Sequence, residues 1–261
     1  MIVVKFGGHA MKDENGNFAK AISAALATGE RVVVVHGGGP QIDAALKSKQ
    51  ITSDWIGGFR VTTQEIFDFV EEVLVNQVGQ EVAATLSKSG ISAKAISARA
   101  LPTLIAKRRT TLIDGTPAEL GFVGEVQSVN PAQLLALLED GLVPVVAPVS
   151  SDEDLKSGLN VNADFAAASI AAALGASQLI VMTDVAGIYR NWPDKASLIE
   201  SITAHDLETI KSTFAEGMAP KVQAALDALS YGARAVRIID GTDPDSFALA
   251  LAGTGGTLVV A

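Results

Sequence analysis

Short runs of apolar, mostly β-branched residues recur along the chain and alternate with segments of helical periodicity. The apolar runs are nearly continuous, which is typical of strands that are covered on both faces. The predicted strands are Ile2–Phe6, Val32–His36, Val143–Ala147, Leu179–Thr183 and Ala235–Ile239. Because helical segments separate them, the pattern predicts an α/β protein with a mainly parallel sheet and helices on both faces.

Capping residues and glycines mark where the predicted helices begin and end. Thr62 and Glu65 have the spacing of a capping box, and the apolar face that follows continues to Gly90. Pro131 and Pro220 each stand where a first helical turn is expected, since proline fits that position. These signals predict three helices between the strands.

One segment departs from this alternation. Thr110–Asp114 and Gly121–Val126 flank a turn, which predicts a hairpin between the main repeats. A division into two lobes is expected near Gly175, because each side carries its own strands and helices. In parallel sheets of this kind, ligands bind outside the carboxyl ends of the strands, so the residues after each strand are the candidates for chemistry.

Composition and charge exclude several classes of function. The 261 residues include 20 basic and 29 acidic ones, and the net charge of −9 disfavours nucleic-acid or membrane partners. The absence of cysteine excludes disulfides and thiolate chemistry. Phe165–Met182 is long and uncharged, but its alanine, serine and glycine content predicts a buried helix and a strand. The first residues form a strand without signal-peptide features, so the cytoplasm is the expected compartment.

Glycine-rich turns follow the first two predicted strands. Lys5 ends the first strand and precedes Gly7 and Gly8, and a buried lysine there requires an anionic partner. The alternative is a lysine that reaches solvent beside a plain turn. Gly37–Gly39 lead into a predicted helix at Gln41–Lys47, where backbone amides can bind an anion. The H-G-G-G sequence also occurs in lipase-like hydrolases, but the G-x-S-x-G motif they need is absent from the sequence.

Further polar residues follow later strands or open helices. Asn162 is suited to cap a helix whose first turn contains Asp164, whereas Asn160 has no evident structural role. Asp184 follows the predicted strand that ends at Thr183. Lys221 stands in a first helical turn, where a cation is disfavoured unless an anion lies near it.

Together these residues predict phosphoryl transfer. Two lysines, glycine-rich anion sites and an aspartate can bind and stabilise a transferring phosphoryl group. Arg60 is suited to bind a carboxylate through two nitrogens. The sequence has neither a G-x-x-x-x-G-K-[ST] loop nor the H-R-D and D-F-G motifs, which excludes P-loop enzymes and protein kinases.

The chain closely resembles the acetylglutamate kinases of the amino acid kinase family. The resemblance rests on K-F-G-G-H-A-M, V-V-H-G-G-G-P-Q-I, G-F-R-V-T, G-F-V-G-E-V, N-V-N-A-D-x-A-A, T-D-V-A-G-I-Y and G-M-x-P-K-V-x-A-A, in that order. It implies a three-layer α-β-α sandwich with a central, mainly parallel sheet of about eight strands, formed by a single domain over residues 1–261. It also implies an N-terminal lobe of about residues 1–175 for the acyl amino acid and a C-terminal lobe of about 176–261 for ATP.

The resemblance implies ATP-dependent phosphorylation of the side-chain carboxylate of N-acetyl-L-glutamate, a step of arginine biosynthesis. The implied catalytic residues are Lys5, Lys221 and Asp164. The implied substrate-binding residues are Gly38, Gly39, Arg60 and Asn160. The implied nucleotide-binding residues are Gly7, Gly8, Thr183, Asp184, Gly187 and Tyr189. No general base is needed because the carboxylate is ionised at pH 7, and magnesium is expected to arrive on the ATP phosphates rather than in a protein metal site.

The chain also departs from the family pattern. Where relatives carry S-G-x-D-G, Ile96–Leu101 reads I-S-A-R-A-L, which affects a lid or interface. Relatives inhibited by arginine have an additional N-terminal helix, whereas this chain starts at its first strand, so an arginine-insensitive homodimer is expected. Two alternatives remain. One is a kinase for carrier-linked aminoadipate or glutamate, which Asn191–Leu198 resembles, and the other is a non-catalytic amino-acid sensor of the same fold.

Overall fold

Strands and helices alternate along the described residues of the computed structural model, which are 1–7, 16–100, 102–214 and 217–261. The strands are β1 (Ile2–Phe6), β2 (Val32–His36), β3 (Trp55–Ile56), β4 (Phe59–Arg60), β5 (Ala93–Ser97), β6 (Leu104–Arg108), β7 (Val123–Val129), β8 (Val143–Ala147), β9 (Val149–Ser151), β10 (Gly158–Val161), β11 (Gln178–Thr183), β12 (Ser201–Thr203), β13 (Ala235–Asp240) and β14 (Thr257–Val260). The helices are α1 (Asn17–Ala27), α2 (Gly39–Ser48), α3 (Gln64–Glu71), α4 (Gly79–Lys88), α5 (Ala132–Glu139), α6 (Ala163–Ala173), α7 (Ala204–Ile210), α8 (Ala219–Ser230) and α9 (Ser246–Leu251).

Within the described residues, eight strands form a central sheet in the order β12-β14-β13-β11-β1-β2-β8-β5. All neighbours in it are parallel except β13 and β14. Successive side chains point to opposite faces, so Val3 joins one hydrophobic core and Val4 joins the other. Helices α5 to α8 cover the first face, and α1 to α4 with α9 cover the second. The predicted fold class is therefore confirmed.

A second, smaller sheet corrects the predicted hairpin. In the described part of the chain, β10, β7, β6 and β9 close into a small barrel, and its hairpin is formed by β6 and β7. The predicted strand Gly121–Val126 overlaps β7 at Val123–Val126, whereas Thr110–Asp114 lies outside the named strands and contains only the isolated bridge from Thr111 to Pro117. Gly121 has a left-handed φ of 68°, and its neighbours bond Thr62 instead, with Phe122 N donating to the Thr62 carbonyl at 2.7 Å.

The long helix predicted from Thr62 to Gly90 begins later and changes character midway. Thr63 is the N-cap, since its Oγ1 accepts from the amide of Ile66 at 3.2 Å. The buried hydroxyl of Thr62 donates instead to the Arg60 carbonyl at 2.7 Å. A π-helical segment, Glu72–Val78, separates α3 from α4. Such segments are frequent at functional sites, and this one places Leu74 at the cleft described below.

The uncharged stretch Phe165–Met182 forms part of a helix and of a strand, as predicted. Helix α6 ends at Ala173, Gly175 takes a left-handed φ of 57°, and β11 follows from Gln178. Among the helices of the described residues, none combines the length and the apolar character that crossing a membrane requires.

Candidate active site

A cleft of about 520 Å³ opens at the carboxyl ends of the central strands. Its lining includes Lys5, Gly37, Gly38, Gly39, Arg60, Asn160, Asp164 and Lys221, together with the apolar side chains Ile42, Trp55, Phe59, Leu74 and Val123. The chain leaves β1 for β2 on one side and later adds β11 on the other side. Ligands of open α/β sheets bind where the strand order reverses in this way, and the cleft has the size of a small-molecule site.

Three charged side chains meet in this cleft and form what we call the charged triad: Lys5, Asp164 and Lys221. Lys5 Nζ lies 3.1 Å from Asp164 Oδ1, and Lys221 Nζ lies 3.0 Å from Asp164 Oδ2. The side chains are 9%, 5% and 18% exposed, in that order. The residues predicted as catalytic are thus brought together, although they are far apart in the sequence.

The electrostatics of the triad favour an anionic ligand. Burial raises the pKa of the Asp164 carboxyl, but the two adjacent ammonium groups outweigh burial and lower this pKa to about 2. Burial lowers the pKa of Lys5, and the Asp164 carboxylate opposes that shift. The same carboxylate raises the pKa of Lys221. Within the triad, two ammonium groups face one carboxylate, and this excess of cations suits a phosphoryl group.

Local structure explains why these three residues converge. Lys5 is next to last in β1, and its Nζ also donates to the Met182 carbonyl of β11 at 3.4 Å. Asp164 lies in the first turn of α6, and the predicted cap is confirmed because Asn162 Oδ1 accepts from the Asp164 amide at 2.8 Å. Lys221 lies in the first turn of α8, and Asp164 offsets the unfavourable helix dipole there.

The glycine turn after β2 forms the wall of the cleft beside the triad. Gly37 N donates to the Phe6 carbonyl at 2.8 Å, which extends the β1–β2 ladder by one bond. A Cβ on Gly38 would lie 2.5 Å from Leu74 Cδ2, so any side chain here would require the Leu74 side chain to move. Gly39 begins α2, and the first amides of a helix have no partner within the helix. Gly38 and Gly39, which were predicted to bind substrate, both line the cleft.

Arg60 also lines the cleft, and its guanidinium already has two partners. Its Nη1 donates to Asp43 Oδ1 and to Ser53 Oγ, each at 2.7 Å. Its Nη2 is buried and has no hydrogen-bond partner among the residues that the structure describes. Asn160 Nδ2 donates to Thr62 Oγ1 at 3.1 Å, and Thr62 Oγ1 donates to the Arg60 carbonyl. Thr62 therefore links the two predicted substrate residues, Arg60 and Asn160. The sequence did not reveal the partners of Arg60. Asp43 lies on α2 and Ser53 in a loop, and no motif identifies either of them as a partner of an arginine.

Most of the predicted nucleotide residues lie at the end of β11 or after it. Thr183 ends β11. The carboxylate of Asp184 opposes the burial that lowers the pKa of Lys5, and it adds to the larger effect of Asp164 that raises the pKa of Lys221. A Cβ on Gly187 would meet Thr257 Oγ1 at 2.5 Å. Tyr189 contacts Trp192 edge-to-face, with ring centroids 5.2 Å apart. These four residues and Gly7 do not line the cleft, and Gly8 lies outside the described residues.

His36 supports the glycine turn from inside the protein. It is fully buried at the end of β2, with Nδ1 2.8 Å from the Gly37 carbonyl. A carbonyl only accepts, so Nδ1 carries the proton. Burial lowers the pKa of His36 to about 4, although the bond to Gly37 opposes the shift.

This histidine is expected to make the protein less stable in mild acid. The unfolded chain binds a proton near pH 6.5 and the folded chain only near pH 4, so stability falls as the pH drops between these values. The expected loss attributable to His36 is about 3 kcal/mol. Urea unfolding from pH 7 to pH 4 measures it, with His36→Asn as the control that retains a donor. Equal pH slopes in the two proteins would contradict the assignment.

In the ranges that the structure describes, no three His, Cys, Asp or Glu side chains are grouped so as to hold a metal ion. The expectation that magnesium arrives with ATP stays a prediction.

Comparisons with known proteins identify the family of this chain. The model of the amino acid kinase family matches residues 1–240. An acetylglutamate kinase from Streptomyces clavuligerus is 45% identical and covers 95% of this chain and 83% of that protein. One from Kineococcus radiotolerans is 42% identical and covers 100% of this chain and 90% of that protein. The crystal structure of smu.665 from Streptococcus mutans UA159 has a TM-score of 0.83 at 28% identity, covering 99% of this chain and 98% of that one. The predicted family is therefore confirmed: this chain belongs to the amino acid kinase family.

Proposed function

We propose that this chain transfers the γ-phosphoryl group of ATP to the side-chain carboxylate of N-acetyl-L-glutamate, forming N-acetyl-L-glutamyl 5-phosphate. The observation that carries the proposal is that one cleft is lined both by the charged triad and by Arg60, whose Nη2 has no hydrogen-bond partner among the described residues. The triad suits a phosphoryl group, and Arg60 suits a carboxylate. The full-length relatives named acetylglutamate kinase support the same reaction.

In the proposed reaction, a carboxylate oxygen attacks the γ-phosphorus, and the bond from that phosphorus to the ADP oxygen breaks. No proton has to move, because the attacking carboxylate is already ionised. Lys5 and Lys221 stabilise the charge on the transferring group and the leaving oxygen. Asp164 holds the two ammonium groups in place. ATP supplies magnesium on its phosphates, where the ion adds further positive charge.

At the substrate end, Arg60 and Asn160 bind the amino-acid portion, and the first amides of α2 at Gly38 and Gly39 bind an anionic oxygen. ATP lies on the side of β11, against Gly7, Gly8, Thr183, Asp184, Gly187 and Tyr189. The N-terminal lobe of about residues 1–175 then carries the acyl amino acid, and residues 176–261 carry the nucleotide. We also propose a cytoplasmic homodimer, which light scattering at about twice the chain mass would support and a monomer would overturn.

Replacing Arg60 with glutamine is expected to raise the KM for acetylglutamate about tenfold to hundredfold, the loss of one hydrogen bond to a charged group. The KM for ATP should change little, because Arg60 is assigned to the acyl amino acid and not to the nucleotide. Steady-state kinetics with each substrate varied in turn measure both values. Arg99→Gln is the matched control, since Arg99 also pairs with a carboxylate at 2.7 Å but does not line the cleft. Equal effects of the two substitutions would contradict the role of Arg60.

The function itself is tested by ATP-dependent hydroxamate formation, in which hydroxylamine traps the acyl phosphate. Acetylglutamate, free aminoadipate and a carrier-linked substrate are compared, and turnover with acetylglutamate is expected. A preference for the carrier-linked substrate would overturn the proposal, and no turnover with any of the three would favour the sensor. Neither alternative is favoured, because relatives named acetylglutamate kinase match nearly the whole chain and a sensor has no need of the triad.

A further inference from the structure

Trp55 is a large apolar side chain that the fold leaves exposed at the cleft. It lines the cleft and is 56% exposed. It belongs to the two-residue strand β3, which pairs with β4 so that Trp55 stands opposite Arg60. Gly57 and Gly58 join the strands with φ values of 55° and 82°, which is the backbone of a tight hairpin turn. The hairpin therefore fixes the tryptophan beside the arginine.

The indole of Trp55 covers the Arg60 guanidinium. The guanidinium carbon lies 4.5 Å from the ring centroid, within the range of a cation–π contact. Asp43 and Ser53 hold Nη1, as described above, whereas the buried Nη2 has no hydrogen-bond partner in the described part of the chain. One nitrogen is therefore anchored, the face is covered, and the remaining nitrogen still lacks an acceptor.

We propose that Trp55 is a positioning residue for the acyl amino acid: its indole orients the Arg60 guanidinium and shields the bond from Arg60 to the substrate carboxylate from water. This inference rests on the proposed function. An ion pair is stronger when water is excluded, so the ring adds substrate affinity without contacting the reacting atoms. Because more than half of Trp55 is exposed in the free protein, bound substrate would cover part of the indole.

The sequence provides a direct optical test, since it contains two tryptophans. Trp192 lies on the nucleotide side against Tyr189. In the Trp192→Phe variant, Trp55 is the sole tryptophan, and acetylglutamate is expected to shift its emission to shorter wavelength with a midpoint near the substrate Kd. In the Trp55→Phe variant, acetylglutamate alone should leave the emission unchanged. An unchanged Trp55 emission in a Trp192→Phe enzyme that turns over acetylglutamate would overturn the proposal.

Kinetics test whether Trp55 acts through Arg60. Trp55→Leu is expected to raise the KM for acetylglutamate about threefold to thirtyfold, the range of a lost cation–π contact, while kcat stays within about twofold. Trp55→Phe keeps an aromatic face and should lose less. In the Arg60→Gln background, Trp55→Leu should have little further effect, because residues that share one contact are not additive.

Additive effects of Trp55→Leu and Arg60→Gln, or an unchanged KM in Trp55→Leu, would overturn the inference. Tyr231→Leu serves as the control, since Tyr231 is also exposed but does not line the cleft. These outcomes are distinct from failure of the proposed function. If the wild-type protein does not turn over acetylglutamate, the proposed function is overturned. If the wild type is active and Trp55→Leu has the same KM for acetylglutamate, only the role of Trp55 is overturned.

Discussion

Replacing Lys5 with alanine is expected to lower kcat by about 10²- to 10³-fold, which is the cost of removing one group that stabilises transition-state charge. The ammonium group is nearly excluded from solvent, so water does not screen its charge. The affinity of the Lys5→Ala variant for ATP should fall far less, because Lys221 and the glycine amides remain. The kcat is measured by the hydroxamate assay, and the ATP Kd by calorimetric titration.

The matched control for this prediction is Lys156→Ala. Lys156 also pairs with an aspartate, at 3.3 Å, but both partners are exposed and lie away from the cleft. The kcat of the Lys156→Ala variant should equal that of the wild type. If Lys5→Ala weakened ATP binding as much as it lowered kcat, Lys5 would bind the nucleotide without acting on the transition state.

Asp164→Ala is expected to lower the free energy of unfolding by about 3–5 kcal/mol, as is typical when one partner of a buried ion pair is removed. Lys5 and Lys221 would then face each other without the carboxylate, and the 9% exposure of Lys5 leaves it little access to water. The kcat should also fall sharply, because the two lysines lose their common anchor. Urea unfolding at pH 7 measures the stability.

An exposed aspartate gives the comparison for this loss. Asp154 pairs with Lys156, and their side chains are 74% and 78% exposed, so Asp154→Ala should cost at most about 1 kcal/mol. Asp164→Asn keeps an oxygen that accepts from one lysine and should fall between the two. A stability for Asp164→Ala equal to that of Asp154→Ala would mean that the triad is not held by its charges.

Five neighbouring strands of the central sheet, β13, β11, β1, β2 and β8, were predictable because they are continuous apolar runs, whereas β5, β12 and β14 were not predicted. The strand predictions at Ile2–Phe6, Val32–His36 and Val143–Ala147 match the structure residue for residue. Those at Leu179 and Ala235 each missed one end residue. In such strands both faces are buried, so the hydrophobic signal is strong and local.

The barrel and the partners of Arg60 were not predictable from local pattern. Strands β9 and β10 are short and half-polar, and their pairing is set by contacts with distant segments. Asp43 lies on α2 and Ser53 in a loop, and only the hairpin that turns Arg60 toward them makes them partners. The π-helical segment Glu72–Val78 was not predictable either, because the spacing of its apolar residues fits a regular α-helix equally well.

Three helices, α2, α6 and α8, direct their first turns at the same cleft, and each brings the positive end of its backbone dipole. This field belongs to the main chain, so no side-chain substitution in the triad removes it. Variants of Lys5, Asp164 or Lys221 should therefore retain a residual rate above that of the reaction in water. The backbone sets a lower limit to activity, and the side chains account for the rate above that limit.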